Sequence, residues 1–132
     1  VAKASEHGKL IAPAAKEALK PLGFKRIGQS RLYAADEGFW LNLVYFQPHR
    51  WTSGAHIRVG ARWLWHPTAW MTMNHSTDVS SPEFGRLLPF LSAAQFTPKI
   101  DAFAALAAEA VQDMRRDIAS FLKLCFAPGS AM

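Results

Sequence analysis

From His56 to Trp65 the chain reads His-Ile-Arg-Val-Gly-Ala-Arg-Trp-Leu-Trp, and the fold turns on this stretch. Side chains of an extended strand alternate between its two faces. Ile57, Val59, Ala61, Trp63 and Trp65 therefore share one face, and His56, Arg58, Gly60 and Arg62 share the other. A strand of this kind has one dry face and one wet or paired face, so it predicts a sheet whose apolar side is covered by other elements.

Upstream, Phe39 to Gln47 is a strand too apolar for simple alternation. Phe39, Leu41, Leu43 and Tyr45 face one way, and Trp40, Val44 and Phe46 the other, which predicts a central strand covered on both faces. Two shorter strand candidates precede it, Phe24 to Ile27 and Arg31 to Ala35, separated by the turn Gly28-Gln29-Ser30. Asp36-Glu37-Gly38 and the loop from Pro48 to Ala55 complete a meander. Before it, Ile11, Ala15, Ala18, Leu19 and Leu22 recur at helical spacing, predicting a helix over about Glu6 to Leu22 with lysines 9, 16 and 20 off the apolar stripe. Pro21 and Gly23 mark its end.

Downstream, residues 66–98 read mainly as loop, with Ala69 to Asn74 as one more strand and Ser81-Pro82-Glu83 opening a short helix near Glu83 to Leu91. A long helix follows, capped by Thr97 with Pro98 at its first position. Its stripe runs through Ile100, Phe103, Ala107, Ala110 or Val111, Met114, Ile118, Phe121, Leu122 and Cys125. The fold expectation is a single α+β domain over residues 1–132, with an antiparallel sheet of about four or five strands packed against an N-terminal and a long C-terminal helix.

Composition sets the outer bounds. A chain of 132 residues with 50% hydrophobic and 19% charged residues is one ordered domain, neither disordered nor collagen-like. Cys125 is the single cysteine, which rules out an intrachain disulfide and a multi-thiolate zinc site and suits a reducing compartment. No apolar run reaches the ~18 residues of a membrane helix, and the N-terminus lacks the layout of a secretory signal. The expectation is a soluble, cytoplasmic protein with no membrane association. The start at Val1 rather than at a methionine reads as missing upstream residues or an expression scar.

The net charge of +5 is unevenly distributed. Residues 1–66 hold 10 Lys+Arg against 4 acids, a balance of +6, while residues 67–132 hold 5 against 6, a balance of −1. Lys16, Lys20, Lys25, Arg26 and Arg31 cluster at the first helix-to-strand junction, and Arg50, Arg58 and Arg62 follow. A basic face of this kind attracts an anionic small molecule, an acidic protein surface or a nucleic acid; the blander reading is a solvated surface.

Arg58 and Arg62 lie four residues apart on an alternating strand, hence on one face and about 13 Å apart. With Gln47, Arg50, Trp51 and His56 they form the candidate ligand-binding set, in which guanidinium groups would clamp phosphate or carboxylate and Trp51 would offer a stacking surface. The competing reading has the arginines paired with acids or lying along the sheet. No metal site is expected, because the five histidines show no ligand spacing and neither Asp36 nor Asp78 stands in a fixed relation to them. No cofactor motif and no catalytic motif is present: the serines lack a nucleophile-elbow context, the glycines are scattered singly, and Cys125 sits on a helix stripe as a small hydrophobe.

The run Leu19-Lys20-Pro21-Leu22-Gly23-Phe24-Lys25-Arg26, then Arg31-Leu32-Tyr33, Asp36-Glu37-Gly38-Phe39-Trp40, Tyr45-Phe46-Gln47-Pro48-His49-Arg50-Trp51-Thr52-Ser53-Gly54 and Ile57-Arg58-Val59-Gly60 resembles the bacterial domain-of-unknown-function family 4304. The resemblance covers residues 19–60, with Tyr45 where that family usually has Asn and Pro48-His49 in place of Lys-Ser. It implies one small bacterial α+β domain and transfers no catalytic residue.

The leading expectation for function is a non-enzymatic binding module, accessory or immunity-like, whose basic face meets an anionic ligand or protein partner. An enzyme with a site formed by His49, His56 and an acid such as Asp36 ranks second. A nucleic-acid role ranks third, because aromatic and basic residues do not interleave in a recognised RNA-binding pattern.

Overall fold

The computed structural model describes residues 6–28, 31–38, 40–48, 54–63 and 75–126. Helix α1 spans Glu6–Leu19 and tightens into a 3-10 turn at Lys20–Leu22. Gly23 ends it with φ +85, the left-handed conformation that glycine adopts without a Cβ penalty, and its N–H closes the turn on the Lys20 carbonyl at 3.0 Å. Strands β1 (Lys25–Arg26), β2 (Leu32–Asp36), β3 (Trp40–Pro48) and β4 (Gly54–Trp63) then form an antiparallel meander. Strands β5 (His75–Asp78) and β6 (Leu87–Pro89) both pair with β4, β5 with its second half and β6 with its first. The architecture is α+β, with two helices and a six-stranded antiparallel sheet.

Register assigns the two faces. Trp40, Val44 and Phe46 of β3 pair with Trp63, Val59 and Ile57 of β4, and this apolar face joins Ile11, Ala15 and Leu19 of α1 in one core. The final helix, α2 (Ala93–Phe126), supplies Phe96, Ile100, Phe103, Ala107 and Val111, all fully buried. On the opposite face Leu43 and its partner Gly60 are also buried. β3 thus carries buried residues on both sides, as its composition predicts.

Three expectations need correction. Glu83 to Leu91 is not a helix. Ser81 and Gly85 exchange two backbone hydrogen bonds of 2.8 Å around a tight turn in which Gly85 has φ +75, and Leu87–Pro89 is β6. The Ser81 hydroxyl accepts the Glu83 N–H at 3.1 Å, so the cap-like side chain serves a turn instead of a helix. The long helix begins four residues before Thr97, because Ser92 and Gln95 form a capping box: Ser92 Oγ accepts the Gln95 N–H at 3.1 Å, and Gln95 Oε1 accepts the Ser92 N–H at 3.4 Å as well as the Leu91 N–H at 2.9 Å. Pro98 lies inside the helix with its ring exposed.

The third correction concerns Phe121, which falls on the predicted stripe and is 63% exposed. A 34-residue helix is about 50 Å long and a ten-residue strand about 33 Å, so α2 outruns the sheet it packs on. The expected strand at Ala69 to Asn74 lies outside the described residues, as does the side chain of Cys125.

At Gly54 the chain passes close against itself. A Cβ built there would stand 2.6 Å from the Leu88 carbonyl oxygen, so glycine is what lets β6 close against β4.

Candidate functional site

The predicted arginine face exists as a geometric fact. Gln47 pairs with His56, Tyr45 with Arg58 and Leu41 with Arg62, all on the sheet face away from the helices. Arg50, Trp51 and His49 lie outside the described residues. What the register adds is Asp78, the direct cross-strand partner of Arg58. Its Oδ1 accepts a hydrogen bond from Arg58 Nε at 3.2 Å and lies 3.0 Å from His56 Nε2, and Arg86 stands 3.9 Å from Oδ2. Residues 20 and 22 positions away in sequence thereby become one ion cluster that ties β5 to β4. Asp36 is committed elsewhere, its Oδ1 accepting the Gly38 N–H at 2.8 Å. The described residues hold no group of three or more His, Cys, Asp and Glu side chains suited to a metal.

Desolvation works to raise the Asp78 carboxyl pKa, but the hydrogen bonds from Arg58 and His56 outweigh it and hold the group below its ordinary value. A depressed carboxyl pKa contributes stability above the unfolded value, about 3.9, and that contribution is lost as pH falls through the folded value. Asp78→Asn is therefore expected to cost about 1–2 kcal/mol at neutral pH, in keeping with hydrogen bonds to charged groups at a partly exposed site. The gap between variant and parent should narrow as pH drops below about 4. Urea midpoints measured across that range check it, and a gap independent of pH would show that the ion cluster contributes nothing.

A second basic region is more enclosed. Between α1 and the β1–β2 edge lies a cleft of about 970 Å³, at the upper end of the roughly 300–1,000 Å³ common for small-molecule sites. Leu19, Phe24 and Tyr33 are its buried floor, and Ala12 and Pro13 form a wall. Lys9, Lys16, Lys20, Lys25 and Arg26 ring it, all exposed. Lys9, Pro13, Lys16 and Lys20 follow one another at intervals of four, three and four, which brings them onto one helix face. No carboxylate lines the cleft. Glu17 lines an adjoining depression that shares Pro13, Lys16 and Lys20 with the cleft. Burial raises the Tyr33 pKa against the opposing pull of Arg26, so the phenol in the floor is neutral at physiological pH.

One arginine of α2 holds this region in place. Arg115 donates to the Leu22 carbonyl at 2.7 Å, pairs with Glu37 at 2.7 Å and stands over the Phe24 ring at 5.5 Å from its centroid. The junction from helix to first strand is thus fastened to the opposite helix by a residue 93 positions away.

Four of the ten acids lie together at the other edge of the sheet. Glu109, Asp113 and Asp117 recur every four residues on α2 and, with Asp78, line a groove of about 560 Å³ beside β5. The charge asymmetry between the two halves of the sequence is therefore also an asymmetry in space. Of the predicted junction cluster, Lys16, Lys20, Lys25 and Arg26 converge on the cleft, joined by Lys9. Arg31 is half-buried and does not line it. The lysine spacing was visible in the sequence, but the apolar floor that makes it a cleft was not.

Comparison with protein-family models, curated proteins and solved structures finds no match. No helix among the described residues is long and apolar enough to cross a membrane.

Proposed function

We propose that this chain is a non-enzymatic binding module that engages an anionic ligand or an acidic protein surface through the cleft between α1 and β1. The observation that carries this reading is the convergence of Lys9, Lys16, Lys20, Lys25 and Arg26 around one concavity with no acid in its lining. Cations gathered at a concave, low-dielectric wall reinforce one another's field, and the acids at the far edge of the sheet bias the approach of an anion toward this side. The arginine face is the competing location. It is weaker as an anion site because Asp78 already occupies Arg58 and His56. An accessory or immunity-like protein of the bacterial cytoplasm is one form of this reading, and the resemblance of residues 19–60 to family 4304 suits a bacterial setting.

The test is association with a polyglutamate peptide, measured by titration at low and high salt. The Lys16→Glu, Lys20→Glu double variant is expected to bind roughly tenfold more weakly or worse, with binding by the parent falling as salt rises. Both positions are exposed, Lys16 on α1 and Lys20 in the 3-10 turn that follows it, so the fold should persist. Arg58→Ala with Arg62→Ala should leave binding unchanged. The reverse pattern, loss in the arginine pair and retention in the lysine pair, would move the site to the sheet face and sink the cleft reading.

A further inference from the structure

We infer that the ligand of this cleft is a monomeric amphipathic anion, a linear apolar chain ending in a single carboxylate. This rests on the cleft being the anion site and adds the chemistry of the ligand. A site for a bare anion needs only convergent donors, yet here the cations surround a floor of Leu19, Phe24 and Tyr33. Apart from the cations, the described residues of the lining offer one polar side chain, the Tyr33 hydroxyl. A hydrocarbon chain laid on that floor brings no polar group that must be desolvated without a partner.

The shape agrees. The lining of the cleft runs along α1 from Lys9 into the 3-10 turn at Lys20, roughly 16 Å of chain rise. The rim is mostly lysine. Lysine presents a point charge on an apolar stem, which extends the greasy wall while its head reaches water. It suits one charged head group, where planar bidentate recognition would call for arginine forks.

The experiment titrates the full chain with decanoate, below its micelle-forming concentration, and follows backbone amide shifts. Saturable shifts along α1 and at Phe24 to Arg26 are expected. Acetate, which lacks the chain, and decanol, which lacks the charge, should each bind weaker by about tenfold or more. Ala12→Trp, which fills the cleft from its wall, should cause a similar loss for decanoate. Thermal melting of that variant verifies its fold, and if it does not fold, the acetate and decanol comparisons decide alone. Acetate binding as tightly as decanoate would overturn the inference and leave the anion-site reading standing. Binding of polyglutamate or of anionic vesicles with no saturable decanoate binding would do the same. Decyltrimethylammonium binding as tightly as decanoate would overturn both, because the lysines would then play no part.

Discussion

Phe103→Ala is expected to lower the free energy of unfolding by about 3–5 kcal/mol, the range for truncating a buried aromatic residue. Phe103 is fully buried at the middle of the α2 stripe and meets the Phe84 ring edge to face at 4.9 Å between centroids. It therefore joins the long helix to the segment just before β6 as well as to the sheet. Removing it leaves a cavity walled by β4 and α2 residues that already sit at full burial, with little slack to collapse into it. A domain of this size has about 5–15 kcal/mol in total, so the variant should be close to unfolded in mild urea. Trp63 makes the informative contrast. The sequence pattern offers it as an equal anchor, but it is only half-buried and packs beside Trp40 at 6.3 Å. Trp63→Ala should cost about 1–2 kcal/mol, consistent with incomplete burial. Urea midpoints for the two variants provide the check, and equal losses would show that the assignment of the core centre is wrong.

Asn42→Leu is expected to do the opposite and raise stability by about 1–3 kcal/mol. Asn42 is fully buried in β3, and among the described residues neither its amide nitrogen nor its carbonyl oxygen has a hydrogen-bond partner. An unpaired amide in a dry core carries its desolvation cost without return. Leucine has the same branching at Cγ, and the cross-strand neighbours of this position are two alanines, Ala35 and Ala61. Asn42→Val is a smaller companion change that guards against overpacking. A fall in the urea midpoint for both variants would mean that the amide has work to do, and would turn attention to what it binds.

Both predictions show where reading a sequence stops. The alternation from His56 to Trp65 suffices to define a half-buried strand, and Phe103 sits on a stripe that any helical wheel displays. Asn42 falls in a run of apolar residues, and nothing local distinguishes a paired amide from an orphaned one. That depends on which side chains the neighbouring strands place beside it, and the register is a property of the assembled sheet.

The same division applies to the ends of elements. Gly23 announces its left-handed turn, because only glycine takes φ +85 without strain. Ser81 and Ser92 look alike as helix caps, yet Ser81 closes a turn with Gly85 and only Ser92 has a glutamine three residues on to complete the box. Thr97 and Pro98 imitate a helix start, but the preceding turn is already helical because Ser92 and Gln95 cap it.

What the sequence by itself determined is the class of fold and the uneven distribution of charge. Periodicities of two and of 3.6 are set by covalent geometry and hold in any context, and net charge is a sum over residues. What only the tertiary structure decided is which charges meet. Asp78 reached His56 and Arg58 through a strand pairing across some twenty residues, which offset part of the arginine face. The lysines of α1 became the rim of a cleft because Arg115, far along α2, holds the junction with β1 against the opposite helix. Long-range contacts of this kind depend on the docking of whole elements, and no window of local sequence contains both partners.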